Sequence, residues 1–326
     1  MRWFVDTWDP AYGTSFDGDG GSAGPTARST AEVDVAVERP AEAWEPLTAP
    51  PDVRAPDVVL LVDGVRRNDA GLWTAEEDGT SYPGLAASYA AGVVRCDLRA
   101  GAAALAGARV ARGLFTASPS AEEPVSAGQV AYPVCRVAGA DPQSLAAAVQ
   151  PQLTALEVEV SAEARAGGDD LLVVDGPLRT RTHLANTLGY VKSHRVEYLP
   201  ASLSTVVRAL KPGERCPVFS IGQGTAGPRH TWYLRLPGTF GNPWTGVVRV
   251  EAAADLPRDE VVHLADLSAV TLPKFASTAY KDPRAPQNLI PIAGLEKRLR
   301  AMLGDPRLLH RALVGAAARA ALSGVA

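Results

Sequence analysis

The sequence predicts an α/β fold, a mixed sheet flanked by helices, and three observations carry that prediction. Two continuous apolar runs of strand length, 58–62 and 171–174, each end in an Asp followed at once by Gly. Continuous rather than alternating apolarity marks strands covered on both faces. Between the runs lies a helical stripe of Leu145, Val149, Leu153, Leu156, Val160 and Ala164, at spacings of three and four. Two more helical segments, about 290–303 and 306–323, close the chain.

Each element follows in order. Residues 1–55 are rich in Gly, Pro, Ser and Asp and read as an N-terminal β extension, with strands at 2–7 and 32–38 and a loop around 17–29. The Pro-rich stretch 40–56 leads into the first apolar run. Strands at 92–98, 108–115 and 128–137 read as a meander pairing with it. The helix 144–166 tolerates Pro151, and 169–175 is the next strand. A helix at 202–210, strands at 216–222, 230–237 and 246–252, and the two terminal helices complete the chain. Strands first, then a helix, a strand and terminal helices is an RNase H-like order, here with additional β-barrel-like strands. The 326 residues then form one domain, an extension of 1–55 on a core of 56–326 with β insertions.

Composition narrows the class. With 46% hydrophobic and 21% charged residues the chain suits a soluble globular protein. No run approaches the roughly 18 apolar residues of a membrane span, and the start lacks the apolar core of a signal peptide. Three scattered cysteines, Cys96, Cys135 and Cys216, suit a reducing cytoplasm and form neither a CxxC site nor a disulfide framework. A net charge of −4 argues against a protein coated in basic charge for nucleic acid, but leaves room for a local basic groove.

The two strand-end carboxylates, Asp63 and Asp175, repel each other, and a divalent cation keeps both ionised. The plainer alternative is that each Asp caps the following turn. The helix between them adds Glu157, which shares the face of Leu153 and Val160, whereas Glu159 and Glu163 fall away from it. A Glu facing a sheet must be neutralised, paired or metal-bound. Three such carboxylates make an all-oxygen site for Mn²⁺ or Mg²⁺. That donor set suits phosphoryl chemistry with two ions about 4 Å apart. There is no GxxxxGK[ST], GxSxG or HExxH motif, and the literal GxGxxG match at 222–227 opens no predicted helix. Basic residues gather after Asp175: Arg179, Arg181, Lys192 and Arg195, with His183, His194, Tyr190 and Tyr198 between them. They suit a phosphate backbone, Lys192 best of all for the scissile phosphate, and Arg66 and Arg67 extend the strip. An ordinary solvated surface is the alternative.

The chain resembles the NurA nucleases, which resect DNA ends with the hexameric HerA translocase. The resemblance rests on Val62-Asp63-Gly64, Leu156-Glu157, Val174-Asp175-Gly176-Pro177-Leu178, Gly189-Tyr190-Val191-Lys192, Trp232-Tyr233-Leu234-Arg235-Leu236 and Gly246-Val247-Val248-Arg249-Val250-Glu251, and covers about 58–300. It implies an RNase H-like fold and Mn²⁺-dependent deoxyribonuclease activity of the 5′–3′ exonuclease and single-strand endonuclease type. It also implies a homodimer with a DNA channel, a HerA-like ATPase as partner, and Asp63, Glu157 and Asp175 as metal ligands. The departure lies near the C-terminus, where Ala285 and Ala293 stand at the family's Tyr and His positions while Pro286 and Leu289 fit. Either Asn288 or Glu296 then takes over as polar ligand, or the site is weakened. Glu296 has its own alternative, pairing with Lys297 or Arg300. Two other functions remain open at this stage: a non-catalytic DNA-gripping adaptor of a HerA-like ATPase, and a phosphoesterase on small nucleotides.

Overall fold

The computed structural model describes residues 29, 31–121, 125–127, 129–165, 170–194, 196–222, 227–238 and 243–323. In chain order its elements are β1 (Val33–Asp34), β2 (Val58–Ala75), β3 (Ser81–Asp97), β4 (Ala102–Thr116), β5 (Val125–Ala127), β6 (Val130–Tyr132), β7 (Val134–Arg136), α1 (Pro142–Ala164) and β8 (Leu171–Asp175). There follow β9 (Thr187–Val191), α2 (Ala201–Ala209), β10 (Phe219–Ile221), β11 (Arg229–Arg235), β12 (Val247–Ala253), α3 (Arg258–Thr271), α4 (Ile290–Met302) and α5 (Pro306–Ser323). The fold is mixed α/β, a large mixed sheet with flanking helices. The chain divides into two compact units. One comprises Met1–Leu61, Arg95–Ala104 and Arg165–Ala293, the other Val62–Val94, Leu105–Ala164 and Gly294–Ala326.

In the first unit the strands run in the order β1-β10-β11-β12-β9-β8-β2. β8 and β9 pair in parallel, Asp175 opposite Tyr190, and every pairing from β9 to β1 is antiparallel. Leu171 to Val174 are all within 1% of complete burial, as continuous apolarity predicts. Trp232, Tyr233, Val247 and Val248 fill the core beside them.

In the second unit the order is β2-β3-β4-β7. The expected meander holds for β2, β3 and β4, but β7 joins β4 in parallel, and β5 and β6 form a separate hairpin. β3 buries Ala86, Ala87, Ala90 and Ala91, and at Gly92 α4 passes close: a Cβ there would sit 3.0 Å from Leu299 and 3.1 Å from Leu295. Leu313 of α5 packs with Ala86, Leu114 and Tyr132. Among the described residues neither unit's strand order closes on itself, β1 to β2 in the first and β2 to β7 in the second.

The first apolar run behaves differently from its sequence reading. β2 does not stop at Asp63 but continues to Ala75, its burial changing from continuous to alternating beyond Asp63. Gly64 therefore extends the strand rather than turning it. The predicted strand at 2–7, most of the loop at 17–29 and the centre of the 222–227 loop lie outside the described residues.

Candidate metal centre

In the first unit, Asp175 ends β8, and the chain turns away there as its sequence predicts. Gly176 adopts φ 115°, which disfavours any other residue. Its N–H donates to the Tyr190 carbonyl at 2.8 Å. β9 runs directly beneath this loop: a Cβ at Gly189 would lie 2.6 Å from the Leu178 nitrogen and 3.1 Å from the Gly176 carbonyl oxygen. The two motifs DGPL and GYVK thus interlock through the absence of two side chains.

The far side of the loop is held from β12. The Leu178 N–H donates to Glu251 Oε2 at 2.9 Å, and Glu251 Oε1 accepts from Arg229 Nε at 2.7 Å and from Arg249 Nη1. Glu251 is fully buried. Burial alone would raise its carboxyl; the Arg249 and Arg229 guanidiniums outweigh that and hold its pKa below the ordinary glutamate range. Arg249 also lies over the Tyr198 ring, 4.9 Å from its centre, so Tyr198 is engaged by a protein cation.

Lys192 sits two residues beyond Tyr190, on the same face of the chain where it leaves β9. Its Nζ donates to Asp175 Oδ2 at 2.6 Å and to Asn288 Oδ1 at 3.0 Å. Asn288 Nδ2 in turn donates to Asp282 Oδ2 at 2.6 Å. Neighbouring Gln287 donates to the Lys192 carbonyl at 2.9 Å and accepts from the Tyr190 hydroxyl at 2.6 Å. Both ends of the Asn288 amide thus take part in this network, Oδ1 accepting from Lys192 and Nδ2 donating to Asp282. Asp175 Oδ1 is buried and accepts no hydrogen bond from the described residues.

In the second unit, Asp63 is 7% exposed within β2, and its Oδ1 accepts from the Gly64 N–H at 2.7 Å. Glu157 is 6% exposed on α1, facing inward as its place on the apolar stripe predicts. Gly64 makes room for it. A Cβ there would stand 2.4 Å from Glu157 Oε1 and 2.7 Å from Leu153 Cδ1. The Gly after Asp63 thus gives Glu157 room against the β2 backbone, a reason the sequence did not reveal. Glu296 lies half-buried in the second turn of α4.

As a donor set, Asp63, Asp175 and Glu296 could hold a metal ion, each offering one carboxylate oxygen. The fit rests on chemistry and on Asp175: all donors are hard oxygens, and one Asp175 oxygen is buried with no donor among the described residues. Glu157 is not part of that set.

The basic strip divides. Arg66 and Arg179 are exposed, with one Arg66 N–H on the Ala146 carbonyl. Arg67 instead binds Asp69 at 2.9 Å and the carbonyls of Gly304 and Leu303, closing the C-terminal end of α4. Arg181 is 4% exposed and Tyr190 fully buried. His194 is a correction: it is 4% exposed, its Nε2 lies 2.9 Å from the Val247 carbonyl, and its ring packs on Tyr233 and Trp244. Burial pushes its pKa down to about 4, so it is a neutral core residue and carries no charge to a phosphate. Asp282, Glu251 and Gln287 went unnoticed as site supports. Only the charged pair Arg249 and Glu251, two apart on one strand, offered a signal.

No family model matches the chain, and no curated protein matches it. All three cysteines are free thiols. No helix among the described residues is long and apolar enough to cross a membrane.

Proposed function

We propose that the chain is a divalent-metal-dependent deoxyribonuclease of the NurA kind, its RNase H-like core being the part that carries Asp63, Glu157, Asp175 and Glu296. The observation that carries this reading is the asymmetric Asp175 carboxylate. One oxygen accepts from Lys192, and the other is buried with no hydrogen-bond donor among the described residues. A buried anionic oxygen left in that condition is costly unless a cation meets it. Support for the fold comes from the neighbours of β2, which are β8 in the first unit and β3 in the second, with α1 between β4 and β8 in the chain.

Asp63, Asp175 and Glu296 would hold Mn²⁺ or Mg²⁺, with buried Glu157 as a further carboxylate. When bound, such an ion lowers the pKa of a water and offsets charge on the departing oxygen. The chain's own residues supply position and charge. Lys192 orients Asp175 and, with two of its three N–H donors used, keeps one for a phosphate oxygen. Asn288 and Asp282 fix Lys192 in that pose. DNA is the substrate in this reading, with a homodimer and a HerA-like ATPase as partners.

End-labelled single- and double-stranded DNA, incubated with Mn²⁺, Mg²⁺ or EDTA, tests the proposal. Cleavage that needs a divalent ion and vanishes in D175N supports it. Binding of DNA without cleavage under any ion or with a translocase present points to the non-catalytic adaptor instead. Turnover of mononucleotides but not DNA points to a phosphoesterase.

A further inference from the structure

The chain's net charge is −4, yet its last two helices are basic. Residues 294–323 carry Lys297, Arg298, Arg300, Arg307, Arg311 and Arg319 against only Glu296 and Asp305. Lys297, Arg298, Arg300, Arg307 and Arg311 are all exposed, and none makes a side-chain hydrogen bond or ion pair among the described residues. Arg307 has the Asp305 carboxylate nearby, and the patch as a whole stays basic in a protein that is acidic overall.

The helices hold these cations outward. On α4, Leu295 and Leu299 point into the core beside Gly92, so Lys297, Arg298 and Arg300 face solvent. The turn at Gly304, φ 82°, leads into α5, where Asp305 Oδ1 accepts from the N–H groups of Arg307 and Leu308. Arg67 fastens the same turn through the Leu303 and Gly304 carbonyls. Leu309 and Leu313 are buried, which leaves Arg307 and Arg311 on the outside.

We propose that the outer faces of α4 and α5 form a docking surface for the phosphate backbone of DNA. The proposal rests on the nuclease reading above and gives that reading its grip on substrate. Four of the five cations are arginines, whose planar guanidinium matches phosphate through paired N–H donors. An anionic membrane is the poorer occupant. Among the described residues the large exposed apolar side chains on α5 are Leu308 and Val314, and the helix has no aromatic residue to anchor in lipid. Glu296 sits on the same helix as three of the cations. A helix is roughly 10 Å across, about three phosphate spacings along one duplex strand. A strand gripped on the outer face can thus present a phosphate near Glu296 a few nucleotides away.

The test is fluorescence anisotropy of the full chain with a labelled single-stranded oligonucleotide in EDTA, over a salt series. Wild type is compared with the fivefold variant K297A/R298A/R300A/R307A/R311A and with R298K/R300K/R307K/R311K, circular dichroism checking that both fold. The alanine variant should flatten the slope of log K against log salt by about 3 units, at about 0.7 per lost phosphate contact. The lysine variant should keep most of the slope. An unchanged slope in the alanine variant overturns the surface, and metal-dependent cleavage by the same protein would show the nuclease reading still standing. Wild type that binds phosphatidylserine vesicles but not DNA also overturns it. Binding through this face without cleavage under any ion supports the surface while removing the nuclease reading.

Discussion

Lys192 Nζ donates to Asp175 Oδ2 across 2.6 Å, with the two side chains 14% and 8% exposed. The strand-end carboxylate is therefore half neutralised by the protein before any metal is considered. Repulsion among carboxylates alone would argue that removing Asp175 relaxes the fold. The ion pair reverses that sign: D175A strands a nearly buried ammonium and should lower stability by about 3 kcal/mol, the low end for breaking a buried pair. Urea denaturation of D175A, and of D175A/K192M, measures this. The double variant should recover most of the loss, and a D175A protein as stable as wild type would remove the pair's importance.

Glu296 and Asn288 separate the two candidates for the missing polar ligand. Both sides of the Asn288 amide are used, on Lys192 and Asp282, whereas Glu296 belongs to the metal-competent set. E296Q should weaken Mn²⁺ binding by more than tenfold in calorimetry. N288A should leave Mn²⁺ affinity within a few-fold of wild type and lower the cleavage rate roughly 10- to 100-fold by freeing Lys192. The reverse pattern would make Asn288 the ligand.

Gly64 is a packing residue. G64A places a methyl against Glu157 Oε1 and Leu153 and should cost about 1–3 kcal/mol, the range for overfilling a packed site. Shortening Glu157 in G64A/E157A should recover part of that cost in thermal melts. If G64A is neutral, Glu157 moves aside freely.

His194 gives an acid-side stability slope. Burial lowers its pKa from an ordinary 6.5 to about 4, so between those values the unfolded chain binds a proton that the folded chain refuses. Stability should therefore rise with pH from 4 to 6.5 and level off above, the span amounting to about 3 kcal/mol. H194F should show a shallower slope over that window. An identical slope would place the acid sensitivity elsewhere.

Several parts of this structure were readable from sequence because burial leaves a pattern. Leu171 to Val174 and the α1 stripe show it, and Glu157 followed from that stripe. Other parts were hidden for physical reasons. Strand β3 begins at Ser81, but its alanines carry no strand preference, and the closeness of α4 at Gly92 leaves no mark in the sequence. β9 is five residues with a glycine at its centre. α3 carries start signals in the sequence, Pro257 followed by Asp259 and Glu260 in the first turn, but no clear apolar stripe to mark its length. The site's carboxylates could be named from strand ends and a helix face. Lys192's partners could not, because Asn288 and Asp282 lie about ninety residues away in a stretch with no periodic pattern.

The anchoring of the Leu178 N–H by Glu251 has a consequence for vectorial synthesis. Leu178 leaves the ribosome 73 residues before Glu251, which secures the loop after Asp175, and Asn288 and Glu296 come later still. A nascent chain halted near residue 240 contains Asp63, Glu157, Asp175 and Lys192 but neither Glu251, which anchors the loop after Asp175, nor Asn288, which holds Lys192. Competence to bind a cation is then a property of the finished chain, and a truncated product would carry the acidic signature without the chemistry.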